Sequence, residues 1–599
     1  MKLKILLTFP FWIISSLSFA TINLNSATFK DLTSLGLTNE QSQNLLSHRK
    51  KYGDLVSIYE LQVVPDFDRH VIEKILPFVF VEEVWPEDNI SIWKGRKFIR
   101  RKKNWRLLFR YGRVLEIAKG YLTGHYVGSP DDFLTKINFS DQGYKFSLAY
   151  KKKYAEYLYP GHIGGYFLLE KKFIFDRLIF GDYQIGCGQS LVLNSAFSLY
   201  KILTNPDLAK HNVKIKQNSS PSKYHFRGLA SSITFADNFE STFFYSHRFL
   251  NSKIENNKAK ISYNDHYKTI KDLKNKNTLG EQTLGGILSW RKDDTEIGCN
   301  IVYTCFDHEI RNKSDQFQGQ KNYEGSIFGE TILLDRVNLF GEFTYLKSFS
   351  FVLGSALTFL KNITSSFLVR NLSPHLNNFY GKPFRENNKG ENECGVCNVN
   401  YFKIKKFNIT CAWDYFYFPQ LKQKGLEKIC KVIYFFDKRD CISLQVKDKD
   451  KKNVHKQVLN HTTVQGEVKK RIGNFFFISK VVYKVDKLKK KYGLGFLATV
   501  KYKFLRFNAD IFWGTTLTEG INIYLREPML RFCGIKSKMF NIPILLCGGV
   551  VGYKFGRGFQ MEILYNFFYA YKGDKIGLGD NEIEKGIKNF IQMQIVYDF

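Results

Sequence analysis

The chain ends in IQMQIVYDF, and this alternation limits its fold more than any other feature. Ile591, Met593, Ile595, Tyr597 and Phe599 fall on one face of an extended strand, and Gln592, Gln594, Val596 and Asp598 on the other. The last residues of small soluble domains are usually frayed and polar, and a terminal carboxylate is costly in a dry core. The pattern therefore calls for an apolar surrounding on one side with the chain end near water. The same two-residue period recurs in FNADIFWGTTL, FQMEILYNFFYAY, NFFFISKVVYKV and ATVKYKFLRFNADIF, separated by polar stretches such as VKDKDKKNVHK. Aromatics reach 16%, with 55 Phe and 34 Tyr, although mean hydropathy is only −0.27. Strands with an apolar outer and a polar inner face must close on themselves in lipid, where every backbone N–H needs a partner. The expected fold is mainly β: a large antiparallel transmembrane β-barrel over 105–599. One strand per roughly 25–30 residues predicts about 16–20 strands.

The other end of the chain agrees. MKLKILLTFPFWIISSLSFA has Lys2 and Lys4, an apolar run from Ile5 to about Leu17, and the small-residue pattern Ser18-Phe19-Ala20. This predicts a secretory signal peptide over 1–20, since spanning a bilayer takes about 20 apolar residues. No later stretch is apolar enough for a transmembrane helix. The expected location is the outer membrane, with lipid as a partner of the barrel. IQMQIVYDF also resembles the terminal signal that barrel-assembly machinery reads, which makes that machinery an expected partner during biogenesis.

The formal net charge is +33, and it is unevenly spread. Residues 21–83 hold six Lys/Arg and nine Asp/Glu, a net of −3, so the basic excess belongs to the barrel and its loops. One reading is a lumen or surface that attracts polyanions. The other is coding bias, since Lys, Asn, Phe, Tyr and Ile are enriched together. A local cluster, KGRKFIRRKKNWR, falls in the linker assigned to 84–104 and just past it. Ten scattered cysteines include Cys394-Gly-Val-Cys397, which lacks a second pair at metal spacing. A loop disulfide or plain apolar packing is expected there, not a metal centre.

Residues 21–83 read differently, as four short helices. Thr28/Asp31, Thr38/Gln41 and Ser57/Glu60 have capping-box spacing, Gly36 breaks the first pair, Pro65-Asp66 breaks the second, and Pro77 stops the last. Leu32, Leu35, Leu37, Leu45, Leu46, Leu55, Ile58, Leu61, Val64, Ile72, Ile75 and Leu76 supply a core. The expected unit is a small all-α two-hairpin domain.

INLNSATFKDL…LGLT…HRKKYGDLVSIYEL…VPDFD resembles the tandem helix-hairpin-helix domain of ComEA-like competence DNA receptors. RVLEIAKGY (113–121), GDYQIGCGQSLVL (181–193), FRGLASSITF (226–235) and DYFYFPQLK (414–422) resemble Bacteroidetes-type proteins that carry this domain ahead of an outer-membrane barrel. In such domains each hairpin offers backbone N–H groups at a helix N-terminus to a DNA phosphate, and glycine lets the phosphate approach. The resemblance implies DNA as a partner, with Gly36, Leu37, Thr38 and Phe67 at the hairpin tips and Arg49, Lys50 and Lys51, beside His48, as counter-charge. Asp66 stands where glycine would suit a phosphate better, and a carboxylate repels it. The alternative is a periplasmic protein-interaction module or lumen plug, with a protein partner.

Gly186-Cys187-Gly188 lacks the third glycine and the following helix of a dinucleotide loop, and glycine on alternate strand positions lets a lumenal element pack closely. No Walker, nucleophile-elbow or His-Glu-x-x-His string appears. A non-enzymatic protein without cofactor is expected.

Overall fold

A computed structural model describes residues 22–599, apart from 53–54, 56–60, 62–63, 69–70, 73–74, 76–78, 81–103 and short pieces at 160, 196–200, 202, 211, 213, 221–224, 237, 312–316, 346–347, 360–361, 377–378, 388–390, 438, 454–455, 519, 535–536, 557 and 572–574. The signal peptide, nearly all of the 84–104 linker, the Ser57/Glu60 cap and the stop at Pro77 lie outside the described residues. The chain divides into two compact units, 1–99 and 100–599.

In the first unit, helix α1 (Phe29–Ser34) opens on the expected capping box. Thr28 Oγ1 accepts the Asp31 N–H at 3.3 Å, and the Thr28 N–H donates to Asp31 Oδ2 at 2.8 Å. The bond from the Thr28 backbone, then that from its hydroxyl, holds the Asp31 carboxyl below its usual range. Helix α2 (Asn39–Tyr52) opens the same way, with Thr38 N–H donating to Gln41 Oε1 and Gln41 N–H to Thr38 Oγ1. The core joins Leu24, Leu32, Leu45, Leu55, Leu61 and Ile75, all fully buried. A parallel pairing of Ile22–Asn23 with Val79–Phe80 ties the ends of the unit together.

The second unit is a closed antiparallel barrel of 24 strands. The expectation of about 16–20 is corrected: most connections at one rim are only two or three residues long, so each strand takes about 20 residues and more strands fit. The terminal strand Ile587–Asp598 closes the ring on Asn104–Val114, in register from Arg106↔Asp598 to Val114↔Phe590. Trp105 and Phe599 exchange both backbone hydrogen bonds, at 2.9 and 3.0 Å. Ile595 and Tyr597 face outward, while Gln594 and Val596 are buried inside.

The alternation holds around the ring. On Phe239–Leu250, Phe243 and Tyr245 are exposed outward while Thr242, Phe244 and Ser246 are buried inward. On Thr295–Arg311, Ile297 and Ile301 face out, and Asn300, Val302 and Thr304 face in. One rim consists of turns of two to five residues, and both Asn104 and Phe599 lie there. Aromatic rings cluster around it: Trp105–Phe139, Phe407–Tyr434, Phe475–Tyr502, Phe555–Phe559 and Tyr597–Phe599, with centroids 4.7–5.6 Å apart. An apolar exterior edged by aromatics is the surface a lipid-embedded barrel presents. No described helix is long and apolar enough to cross a membrane.

All ten cysteines are free thiols. Cys394 and Cys397 lie on the strand Glu393–Ile404, not in a loop. At a separation of three they point to opposite faces: Cys397 is fully buried in the lumenal core, and Cys394 Sγ donates to Asn371 Oδ1 at 3.0 Å. Apolar packing, not a loop disulfide, describes Cys397.

Candidate nucleic-acid interface and barrel lumen

In the first hairpin, Leu32 and Leu37 are buried against α2, and the chain reverses between them at Gly36, with φ +79°. A left-handed residue here favours glycine. The Gly36 N–H donates to Thr33 O. Among the described residues the N–H groups of Leu37, Asn39 and Glu40 have no hydrogen-bond partner, so three donors are left open at the turn and the first turn of α2. Glu40 adds one negative charge at the same place.

The second hairpin tip is arranged otherwise. Asp66 takes the left-handed conformation, φ +65°, that glycine would occupy. It is tied to α2: Gln41 Nε2 donates to Asp66 O at 3.1 Å and Asn44 Nδ2 to Asp66 Oδ2 at 2.7 Å. Asp68 caps the turn that follows, accepting the Val71 N–H at 2.7 Å. Phe67 is buried, and its N–H donates to Val64 O at 3.3 Å.

Arg49 is spent inside the unit. Its guanidinium donates to the carbonyls of Ala27, at 2.7 Å, and of Asn25. It thereby locks the segment before α1 onto α2. The side chains of Lys50 and Lys51 lie outside the described ones. The structure thus groups Gly36, Leu37 and Thr38 at one tip, with Gly36 and Thr38 exposed and the Leu37 side chain buried, and places Phe67 and Arg49 in packing roles. The Arg49 arrangement has no sequence signature, because its partners are backbone carbonyls more than twenty residues away.

In the barrel unit the lumen is partly filled by the chain's own long connections. After the strand Phe175–Ile185 the chain turns inward, and Cys187, Gln189, Ser190, Leu191, Val192 and Leu193 are all buried. Gly186 and Gly188 therefore flank a turn of the lumenal element itself and are not alternate strand positions, which corrects the expectation for them. Gly188 has φ +50°, and a Cβ there would meet Glu342 Oε2 at 2.7 Å. Glu342, fully buried on Val337–Thr344, accepts the Leu191 N–H at 2.8 Å and the Val192 N–H at 3.4 Å. A second inward connection, 373–392, pairs with the first: Asn194 N–H donates to Tyr380 O and Lys382 N–H to Ser190 O. The segment GDYQIGCGQSLVL is therefore the root of the lumenal insert.

Buried charge fastens this insert to the wall. Lys201 lies 2.7 Å from Asp414, 2.8 Å from Glu386 and 3.0 Å from Glu427. Arg370 bridges Glu393 and Asp414 at 2.7 Å each, all three side chains fully buried. A third inward connection, 519–543, forms a small hairpin of Ile523–Leu525 with Lys538–Phe540. Ile523 and Leu525 pack over Gly493 and Gly495, where a Cβ would meet Ile523 at 3.1 and 2.6 Å. Between these inserts the wall is uncovered: the 16-residue strand Gln457–Ile472 has no buried residue on either face.

Residues 18–80 match the family model described as the helix-hairpin-helix motif. No curated protein matches the chain. Among solved structures, the chain is similar to a mutant of the ferric enterobactin receptor from Pseudomonas aeruginosa, at 7% identity and TM-score 0.42 over 83% of this chain and 80% of that one. It is also similar to the siderophore receptor PirA from the same organism, at 9% identity and TM-score 0.39 over 83% and 81%. Similarity to a BenF-like porin from Pseudomonas fluorescens Pf-5 stands at 7% identity and TM-score 0.29, over 60% of this chain and 98% of that one. The chain thus joins a helix-hairpin-helix motif to a 24-strand barrel.

Proposed function

We propose that this is a non-enzymatic outer-membrane barrel protein whose helix-hairpin-helix domain lies in the periplasm and holds DNA by its phosphates, without reading bases, in the manner of a DNA-uptake component. Placement in the outer membrane is supported by the closed ring, its apolar exterior and its aromatic rim. In such barrels the short turns face the periplasm, and the first barrel strand starts at that rim. The observation that carries the DNA reading is the Gly36 tip, where a left-handed glycine and three unpartnered N–H groups fit a phosphate oxygen.

A second reading has its own support. Arg49 is committed to internal carbonyls, Asp66 fills the glycine position of the second tip, and the domain is net acidic. These features suit a protein-interaction module beside a structural or transport barrel. Titration of residues 21–83 with duplex DNA over a range of salt separates the two. Phosphate binding weakens steeply as salt rises, and Gly36→Asp combined with Lys50→Glu abolishes it. Absence of binding at low salt removes the DNA reading and leaves the interaction module.

A further inference from the structure

The uncovered part of the lumen wall has a specific chemistry. Strand register carries a row of lumenal side chains across four strands, Lys431↔Gln445↔Gln465↔Val482, and the next row contains Glu467 opposite Lys480. Their side of the wall is fixed by buried lumenal neighbours on the same strands: Glu427 and Ile429 before Lys431, and Val482 beside Lys480. Lys480 lies within electrostatic reach of Glu467, Arg526, Lys469 and Lys431. Glu467 is engaged by Lys469 at 2.8 Å. Among the described residues no carboxylate lies in ion-pair range of Lys431, Lys480 or Arg526. Arg526 reaches this wall from the inward hairpin. Ile523 and Leu525 of that hairpin face the barrel and are buried, while Tyr524 and Arg526 face the open lumen and are exposed.

Three cations, none in ion-pair contact with a carboxylate among the described residues, therefore line this wall from two separate structural pieces, with Gln445 and Gln465 between Lys431 and Lys480 and Glu467 as the nearest counter-charge. Elsewhere in the barrel, the inward cations Lys201 and Arg370 are met by buried carboxylates. Holding three cations near one carboxylate, itself engaged by Lys469, costs free energy in a partly desolvated site. An anion with several oxygens relieves that cost, with the glutamines as hydrogen-bond partners. We propose that the lumen binds phosphate-bearing anions at the site formed by Lys431, Lys480 and Arg526 over Gln445 and Gln465. The site belongs to the barrel and stands independently of DNA capture by the helical domain.

The test uses the full-length protein in detergent with inorganic tripolyphosphate as the probe. Binding is expected at low salt and weakens as salt rises. The triple variant K431Q/K480Q/R526Q loses affinity by about tenfold or more, while K480R retains it and G36D leaves it unchanged. Because the triple variant risks misassembly, a second measurement uses the unmodified protein: tripolyphosphate slows acetylation of Lys431 and Lys480, read peptide by peptide by mass spectrometry, and does not slow that of Lys253 on a remote connection. Absence of binding at low salt, equal affinity in the triple variant, or unprotected Lys431 and Lys480 each overturns the proposal. Tripolyphosphate binding without DNA binding supports the lumenal site and refutes only the DNA reading.

Discussion

A glycine and an arginine show how single residues govern this molecule. At Gly188 a side chain would require both an unfavourable left-handed backbone and the 2.7 Å approach to Glu342 Oε2. Gly188→Val is expected to cost about 1–3 kcal/mol from the backbone alone, plus displacement of the insert from Glu342. Limited proteolysis of the 186–225 connection in the assembled barrel measures this, with cleavage rising in the variant. Arg370 offers the opposite case, a buried cation bound by Glu393 and Asp414. Arg370→Met leaves two carboxylates with less compensation and is expected to destabilise by about 3–5 kcal/mol. The melting temperature of the heat-modifiable band in electrophoresis checks it, and an unchanged melting point would show that Lys201 alone suffices. The pairing Arg370–Asp414 reaches across an intervening strand, Glu393–Ile404, so no spacing in the sequence announces it.

At the scale of elements, helix α1 rests on its Thr28–Asp31 box. Thr28→Ala is expected to cost about 1 kcal/mol. The Asp31 carboxyl is held below its ordinary value by the two bonds from Thr28. Its contribution is therefore present above the unfolded value and lost as pH falls through the lower folded value. Circular dichroism of residues 21–83 under thermal melting should show a loss of stability on acidification that Asp31→Asn removes. This box was legible from the residues, as were the Thr38–Gln41 box and most of the core, because caps and helical periodicity are local. The tie from Gln41 and Asn44 to Asp66 was not, since it joins two turns more than twenty residues apart.

For the whole molecule, the outward face separates a membrane barrel from a soluble one. Ile301 is 66% exposed, six residues into its strand from the short turn, near the middle of the apolar band. Ile301→Arg is expected to cost about 2–4 kcal/mol in a bilayer and essentially nothing in a water-soluble barrel. Folding equilibria in lipid vesicles measure it. Removal of Phe599 takes away the residue that pairs with Trp105 across the seam. The truncated chain should assemble more slowly into vesicles, with the heat-modifiable band forming late.

What the amino-acid order determined by itself was every feature with a short period. Alternation placed lipid-facing and lumen-facing residues, the terminal strand foretold closure, and capping boxes marked the helical hairpins. These follow from backbone geometry, in which residue i constrains i+2, i+3 or i+4. The strand count needed the true turn lengths, and tight turns can be built by many residues, including Lys405 and Leu505 in left-handed conformations. The inward connections, the carboxylates that hold them and the cations of the open wall were decided only by the tertiary structure. Ring closure brings residues hundreds of positions apart to one lumen, and charge there is paired by proximity in space, not by order along the chain.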